Sequence, residues 1–304
     1  MSPQIDWAEV GPDGCPAAAA NDLRAAAVAA VAGGLVARPF YQRDDLGITD
    51  KGANNPVTDA DHAANDAILS ILGDRLPDDP IRSEESPPSS SDVTADRLWV
   101  VDPLDGTKEF IAGNGEFAVM VGLAAGSVAR LGAVLQPDPG RLYLGVVGSG
   151  AWVADTSWEG AASTGRVSVG PFRRLRLTEA RPADLRMARS RSHPDPLITA
   201  VADRLGASSI RSGSVGLKCS LVAEGEAEVY VHPVPFLREW DTCAPEAVLR
   251  GAGGVVSDCR GEPLAYGKQE PRQLHGIFAA REDVWDEALP LVREITSDKL
   301  GFDP

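Results

Sequence analysis

Four short apolar runs follow one another between Phe117 and Asp155. They read FAVMVGLA, ARLGAVLQ, RLYLGVVG and AWVAD, and Gly, Pro, Asp or Ser residues lie at the breaks between them. Short apolar runs separated by turn residues are typical of β-strands joined by tight connections. The pattern therefore predicts an antiparallel meander in the first half of the chain.

Helical patterns precede this meander. The Ala-rich run from Ala17 to Val36 is broken by polar residues and by a Gly pair. It predicts an amphipathic helix that is too short and too interrupted to span a bilayer. A second helix is expected from about Asp59 to Leu72, with Thr58 as its N-cap and Asp61 as the acid of a capping box.

Strand and helix patterns alternate in the second half, beyond a Ser-, Gly- and Arg-rich stretch at 156–182 that is a candidate boundary. Strands are predicted near 185–189, 208–211, 228–231, 254–257 and 276–280, and helices near 194–206, 215–224, 241–252 and 282–296. Helices layered on sheets indicate a mixed α/β (α+β) sandwich. We expect two closely packed halves, an N-terminal one at 1–182 and a C-terminal one at 183–304.

The charge and the cysteines limit the possible partners and compartment. A formal net charge of −15 argues against nucleic acid polymers and anionic membranes. Small anionic substrates remain possible, because bound cations can reverse the local electrostatic field. The four cysteines form no CxxC pair, which predicts free thiols. The N-terminal residues lack the apolar segment of a secretory signal, so we expect a cytoplasmic protein.

The stretch WVVDPLDGTKEF, residues 99–110, ends an apolar run in two carboxylates. The Asp-Pro and Asp-Gly pairs allow a tight turn after the strand. Asp102, Asp105 and the carbonyl oxygen of Leu104 can then face one spot. Oxygen ligands without a nearby histidine favour Mg²⁺, Mn²⁺ or Ca²⁺. An ordinary turn is the alternative explanation, because these dipeptides are common in turns.

Gly106 and Thr107 follow the second aspartate. They open a predicted helical turn whose N–H groups face outward, which suits a phosphate.

Further carboxylates lie at the ends of other elements. Glu84 and Glu85 precede a Pro-rich loop, Asp61 lies in the first turn of the second helix, and Asp241 lies at the start of another helix. Each also has a simpler explanation. The glutamates suit a solvated acidic turn, and the aspartates suit helix capping.

Taken together, these segments resemble the inositol monophosphatase superfamily of magnesium-dependent, lithium-sensitive phosphatases. The matching motifs are SEE, DPLDGTKEF and EWDTCAPEAVLRGAGG, with PVTDAD upstream, in the family's order over residues 50–257. The chain is most similar to the CysQ-type 3′(2′),5′-bisphosphate nucleotidases, through KEF after DGT, SRSH at 190–193, GSVGLK at 213–218 and WDTCAPE. The resemblance implies a layered αβαβα sandwich of the sugar-phosphatase type.

The resemblance also implies a set of metal ligands and catalytic residues. A two-metal core is expected, with a third, weaker Mg²⁺ near Glu84 and Asp61. Thr107 would hold the attacking water, and Asp61 would orient the Thr107 hydroxyl. Glu84 belongs to both the catalytic and the metal-binding set. The residues at the metal-ligand positions of the family are Glu84, Asp102, Leu104 (through its carbonyl), Asp105 and Asp241.

Substrate contacts are carried over in the same way. The expected substrate-binding residues are Gly106, Thr107, His193, Ser214, Lys218 and Asp241. Lys51 resembles a family lysine near the active-site loop, although a solvated loop charge is an equal alternative. A structural role for His193 and a solvent-facing position for Lys218 stay open.

The expected reaction is hydrolysis of the 3′-phosphate of adenosine 3′,5′-bisphosphate to AMP and phosphate. An inositol-1-phosphate phosphatase is the alternative, ahead of a fructose-1,6-bisphosphatase. A silent metal- or nucleotide-binding relative would lack at least one ligand, and here every ligand position is filled. The expected partner is a small phosphorylated substrate, and both a monomer and a homodimer stay open.

Overall fold

The structure is a computed structural model that describes residues 4–7, 12–43, 45–50, 52, 56–87, 89, 93, 95–161, 165–177 and 182–303. The α-helices in these ranges are α1 Ala17–Ala37, α2 Asp59–Arg75, α3 Thr107–Ile111, α4 Pro196–Leu205, α5 Val215–Glu224, α6 Glu239–Gly251 and α7 Glu282–Leu300. A short 3₁₀ helix, Arg38–Phe40, follows α1.

The strands of the first half are β1 Gln4–Trp7, β2 Thr49–Asp50, β3 Pro56–Val57, β4 Ile81–Ser83, β5 Arg97–Asp105, β6 Ala118–Ala125, β7 Val128–Gln136, β8 Arg141–Val146, β9 Gly150–Ser157, β10 Arg166–Val169 and β11 Arg173–Leu175. Those of the second half are β12 Arg186–Ser190, β13 Ser208–Ser212, β14 Val229–His232, β15 Leu237–Arg238, β16 Gly254–Ser257, β17 Arg272–Gln273 and β18 Ile277–Arg281. The strands and helices predicted for the second half are confirmed, with small shifts at their ends.

The larger sheet contains the predicted meander. Its order is β1-β10-β9-β8-β7-β6-β5-β4, with β11 beside β9. Strands β5 to β9 pair antiparallel, each with the next, which confirms the meander and adds β5 at its start. Strands β10 and β11 lie within the stretch 156–182, so this stretch contributes to the sheet. The division at residue 182 stays a prediction.

The helices and sheets form five layers. Helices α1 and α2 pack on one face of the larger sheet, and α5 and α6 pack on its other face. The smaller sheet, β13-β12-β14-β18-β16, contacts α5, and α4 and α7 lie on its far side. Buried apolar clusters fill the seams between these layers. The predicted αβαβα sandwich is therefore confirmed.

Helix α1 differs from the predicted amphipathic helix. All residues from Ala25 to Gly34 are buried, so this part of the helix is covered on every side. Ala17–Phe40 is also long and apolar enough to cross a membrane by length and composition, so the prediction that it is too short was wrong. In this fold, 67% of its most apolar stretch is buried inside the protein. Burial between the larger sheet and α2 accounts for its apolar character.

The cysteines agree with the predicted free thiols. All four are unpaired, and Cys219, Cys243 and Cys259 are buried. They serve as small apolar groups of the core, which is the usual environment of an unpaired cysteine.

A row of glycines lets α6 lie close to the larger sheet. Gly122, Gly132 and Gly145 are paired in register on β6, β7 and β8. A Cβ added at any of them would meet α6 within 2.4 to 2.7 Å at its nearest atom. Distances this short are excluded by sterics, so only glycine permits the observed approach. The helix that begins with Glu239 is thereby fixed against the middle of the sheet.

We predict that Gly145→Ala destabilises the protein by about 1–3 kcal/mol, the usual cost of overpacking a core. The new methyl group would lie 2.4 Å from the Cα atom of Val248 and 2.5 Å from the carbonyl oxygen of Ala247. Urea unfolding measures this change. Gly73→Ala in α2 is the matched control, because nothing lies within 4 Å of its added Cβ. The control should be neutral or stabilising by up to about 1 kcal/mol, and equal effects of the two changes would contradict the prediction.

Candidate active site

Strand β5 carries two of the predicted ligands. The strand continues past Asp102 to Asp105, and its pairing with β6 is irregular between these residues. Asp102 is almost fully buried, and its Oδ1 accepts a hydrogen bond of 3.0 Å from the N–H of Leu104. The strand is therefore longer than the sequence indicated, and the irregularity presents both carboxylates at its end.

Gly106 follows this strand and is the N-cap residue of α3. Its φ of +94° lies in the left-handed region, where only glycine is free of strain. Helix α3 then begins at Thr107, which confirms the predicted tight turn and helical turn.

The third carboxylate comes from the first turn of α6. Asp241 Oδ2 accepts a hydrogen bond of 2.6 Å from the N–H of Arg238, so this side chain also caps the N-terminus of the helix. Oxygen atoms of Asp102, Asp105 and Asp241 all lie within 4.8 Å of one another. Residues from β5 and α6 thus meet, as the sequence predicted, although they are far apart in the chain.

The electrostatics of this cluster favour a bound cation. Burial raises the pKa of Asp102 well above the ordinary aspartate value, and the carboxylates of Glu84, Asp105 and Asp241 raise it further. Burial likewise raises the pKa of Asp241, with additional contributions from Asp105 and Glu84. Buried like charges are stable together only when protons or a metal ion offset them. An all-oxygen donor set fits a hard divalent cation, so the cluster can bind a metal ion.

Glu84 lies beside this cluster. Its backbone N–H donates to the carbonyl oxygen of Val101 at 3.1 Å, which attaches it to β5. It is not one of the three residues whose oxygens meet within 4.8 Å, but its charge acts on both Asp102 and Asp241. Its assignment as a ligand stays a prediction.

Asp61 and Thr107 form a second polar group at the site. The Thr107 Oγ1 lies 3.2 Å from Asp61 Oδ1 and 3.3 Å from the carbonyl oxygen of Leu104. Asp61 Oδ2 accepts hydrogen bonds from the N–H of Thr58 at 2.8 Å and from its hydroxyl at 2.6 Å. The predicted capping box is confirmed. It holds the buried Asp61 carboxylate in one orientation.

Ser214 is the N-cap residue of α5, and Lys218 lies near the start of that helix. The Ser214 hydroxyl donates to Asp105 Oδ2, and the N–H of Gly216 donates to the same oxygen at 3.1 Å. Lys218 is buried, and its Nζ donates to the carbonyl oxygens of Gly213 and Ser214. The solvent-facing alternative for Lys218 is therefore wrong. Its ammonium group supports the segment that holds Asp105, and a direct substrate contact stays a prediction.

The last two residues that the sequence singled out are His193 and Lys51. His193 is exposed, and its Nε2 lies 3.0 Å from Lys108 Nζ, next to the start of α3. Desolvation lowers the pKa of His193, and the Lys108 charge lowers it further. The structure therefore excludes a core position for this histidine and brings it to the edge of the site. Lys51 lies outside the described residues.

Three features of the site were not predicted from the sequence. They are the glycine row beneath α6, the hydrogen bonds from Ser214 and Gly216 to Asp105, and a buried ion pair between Arg82 and Glu239. The Gly-Ser pair at 213–214 before a helical pattern was the only local signal for the second feature.

Comparison with known proteins agrees with this geometry. The model of the inositol monophosphatase family matches residues 20–294. The chain belongs to the inositol monophosphatase family. A curated relative from Escherichia coli K12, the 3′(2′),5′-bisphosphate nucleotidase CysQ, is 35% identical over 79% of this chain and 91% of its own length. The Nus factor SuhB of Pasteurella multocida is 32% identical over 76% of this chain and 82% of its own length.

Solved structures of the family have the same fold. The crystal structure of CysQ from Bacteroides thetaiotaomicron aligns with a TM-score of 0.71 and 33% identity, over 86% of this chain and 97% of that one. The family resemblance inferred from the motifs is thus confirmed.

We predict that the metal-free protein loses stability as the pH rises above the ordinary carboxyl range of about 4. Because the folded state raises the pKa of Asp102 and Asp241, it binds more protons than the unfolded state there, and deprotonation favours unfolding. Thermal unfolding in EDTA from pH 5 to 8 measures the slope.

Asp102→Asn provides the control for this prediction. The variant should have a shallower slope and a higher melting temperature in EDTA at pH 8 than the unchanged protein. Added Mg²⁺ should stabilise the unchanged protein more than the variant. A variant with an unchanged slope would show that the carboxylate cluster does not cause the pH dependence.

Proposed function

We propose that the protein is a Mg²⁺-dependent phosphomonoester hydrolase that removes the 3′-phosphate of adenosine 3′,5′-bisphosphate, giving AMP and phosphate. The supporting observation is the meeting of Asp102, Asp105 and Asp241 within 4.8 Å, next to the hydrogen-bonded pair of Asp61 and Thr107. The substrate class is taken from the CysQ relatives, which are 3′(2′),5′-bisphosphate nucleotidases. We further propose a cytoplasmic enzyme that is a monomer or a homodimer.

The metal ions would be held by side chains and one carbonyl group of the first half together with Asp241. We propose two to three Mg²⁺ ions, with Glu84, Asp102, Leu104 (carbonyl), Asp105 and Asp241 as ligands. When bound, such ions would polarise the phosphate and make a water molecule more acidic. Their charge would also allow an acidic protein, with a net charge of −15, to bind a polyanion.

Thr107 and Asp61 would hold the attacking water. A hydroxyl group has one proton to donate, and Asp61 Oδ1 is within reach at 3.2 Å. With that proton directed to Asp61, the lone pairs of Thr107 Oγ1 can accept a hydrogen bond from water. The capping box keeps Asp61 in place, so Thr107 orients the water and Asp61 accepts a proton in the hydrolysis.

Substrate recognition would involve the edges of the same site. Gly106 and Thr107 would present N–H groups to the phosphate that is removed. His193, at the exposed edge beside Lys108, would contact the nucleotide. Ser214 and Lys218 would act mainly by holding Asp105.

We predict a strong preference for adenosine 3′,5′-bisphosphate over inositol 1-phosphate and fructose 1,6-bisphosphate at equal concentration. Phosphate release with Mg²⁺ measures this preference. The control is Asp105→Asn, which should abolish activity on every substrate because it removes a ligand. Preference for inositol 1-phosphate would support the alternative function and would leave the proposed metal site unchanged. No activity on any of the three would contradict a phosphatase.

We predict that Thr107→Val lowers kcat by roughly 10²- to 10⁴-fold, the usual contribution of a group in general acid–base catalysis. Valine preserves the shape of the side chain but cannot hydrogen-bond to water or to Asp61. Thr107→Ser is the matched control and should retain most of the activity, because it keeps the hydroxyl. Steady-state kinetics at saturating Mg²⁺ distinguishes the two variants, and similar rates for both would exclude the role of the hydroxyl.

A further inference from the structure

A buried ion pair joins the edge of the larger sheet to α6. Arg82 on β4 and Glu239 at the start of α6 are 5% and 0% exposed, and Arg82 Nη1 lies 2.7 Å from Glu239 Oε2. A charge pair this deep in a protein costs much desolvation, so its geometry must be well satisfied by hydrogen bonds. The two residues are 157 positions apart in the chain.

Hydrogen bonds from a third segment complete this geometry. Glu239 accepts a hydrogen bond of 3.0 Å from the N–H of Gly267 and another of 3.0 Å from the N–H of Lys268. Arg82 Nη1 also donates to the carbonyl oxygen of Lys268 at 2.9 Å. The carboxylate thus receives three donors, one of them charged. A glutamine in its place would have one acceptor oxygen and an NH₂ group that would face donors.

The positions of the two partners relate them to the candidate metal site. Arg82 lies two residues before Glu84, and Glu239 lies two residues before Asp241. Among the described residues, strand β4 lies at the edge of the larger sheet and pairs with β5, whereas α6 lies across the face of that sheet. The ion pair therefore links the segment that carries Glu84 directly to the segment that carries Asp241.

We propose that Arg82 and Glu239 are positioning residues that set the spacing between Glu84 and Asp241 and thereby the affinity for Mg²⁺. This inference rests on the metal site of the proposed function. Neither residue belongs to the proposed metal ligands or catalytic residues. The pair acts by holding two ligand-bearing segments at a fixed separation, as outer partners of metal ligands commonly do.

Calorimetric titration of the 304-residue chain with Mg²⁺ alone tests this proposal without substrate. Glu239→Gln should raise the dissociation constant for Mg²⁺ by about tenfold or more, the range found for outer partners of metal ligands. Phosphate release should recover towards the unchanged kcat as Mg²⁺ is raised, because the ligands themselves are intact. A folded Glu239→Gln protein with unchanged Mg²⁺ affinity overturns the proposal, and so does the absence of Mg²⁺ binding by the unchanged protein.

Glu228→Gln is the matched control. Glu228 is also a buried glutamate in an ion pair, with Arg186, and it lies next to β14 in the smaller sheet. This change should lower the melting temperature and leave the Mg²⁺ affinity unchanged. An equal loss of Mg²⁺ affinity in both variants would mean that general destabilisation is the cause, and would overturn the proposal.

A double variant covers the case in which Glu239→Gln does not fold. Arg82→Met with Glu239→Leu removes both charges, and buried ion pairs replaced by apolar residues often keep their stability. It should fold and bind Mg²⁺ more weakly, whereas unchanged affinity would overturn the proposal. The substrate assignment is tested independently of this proposal, because a protein that prefers inositol 1-phosphate can still lose Mg²⁺ affinity in these variants.

Discussion

The close approach of α6 to the larger sheet is the constraint on which the rest of the structure depends. The glycine row of Gly122, Gly132 and Gly145 removes every side chain that would separate the two. The first turn of the helix, which carries Asp241, can then lie beside the end of β5, where Asp102 and Asp105 are. Larger residues in the row would enlarge the core, but they would also push α6 away from the sheet. Asp241 would then move away from Asp102 and Asp105. The lack of side chains at these three glycines therefore determines where the site lies.

Hydrogen-bond donors of the surrounding backbone and of one serine orient the carboxylates of the cluster. Each of the three clustered aspartates accepts a hydrogen bond from its surroundings: from Leu104 N–H for Asp102, from Ser214 and Gly216 for Asp105, and from Arg238 N–H for Asp241. These donors orient the oxygens but leave the mutual repulsion of the negative charges in place. Orientation therefore comes from the fold, whereas charge balance has to come from protons or from a metal ion.

Local sequence patterns predicted the elements and pointed to the carboxylates that lie together. Asp102, Asp105, Asp61 and Asp241 each lie in a short segment with its own recognisable signal, such as a strand end or a capping box. The meander followed from strand spacing and a mixed α/β sandwich from the alternation of elements, whereas the order of its five layers was implied by the family resemblance.

Features that depend on contacts between distant segments could not be predicted in this way. Arg82 and Glu239 are 157 positions apart, and Ser214 is 109 positions from Asp105. In the sequence, Gly132 is an ordinary glycine in a strand, and only the helix above it shows why it is there. Helix α1 was misjudged for a related reason. Its alanines look like one face of an amphipathic helix until the sheet and α2 are seen to cover both sides.

The glycine row also limits where this chain can change in length. Successive residues of a strand point to opposite faces, so inserting one residue within β7 would turn Gly132 away from α6 and bring a larger neighbour in its place. Insertions and deletions are harmless only where they leave the register of β6, β7 and β8 intact. Variation in length should therefore be confined to the turns that join these strands. Within the strands, the number of residues has to stay fixed to keep the glycines beneath α6.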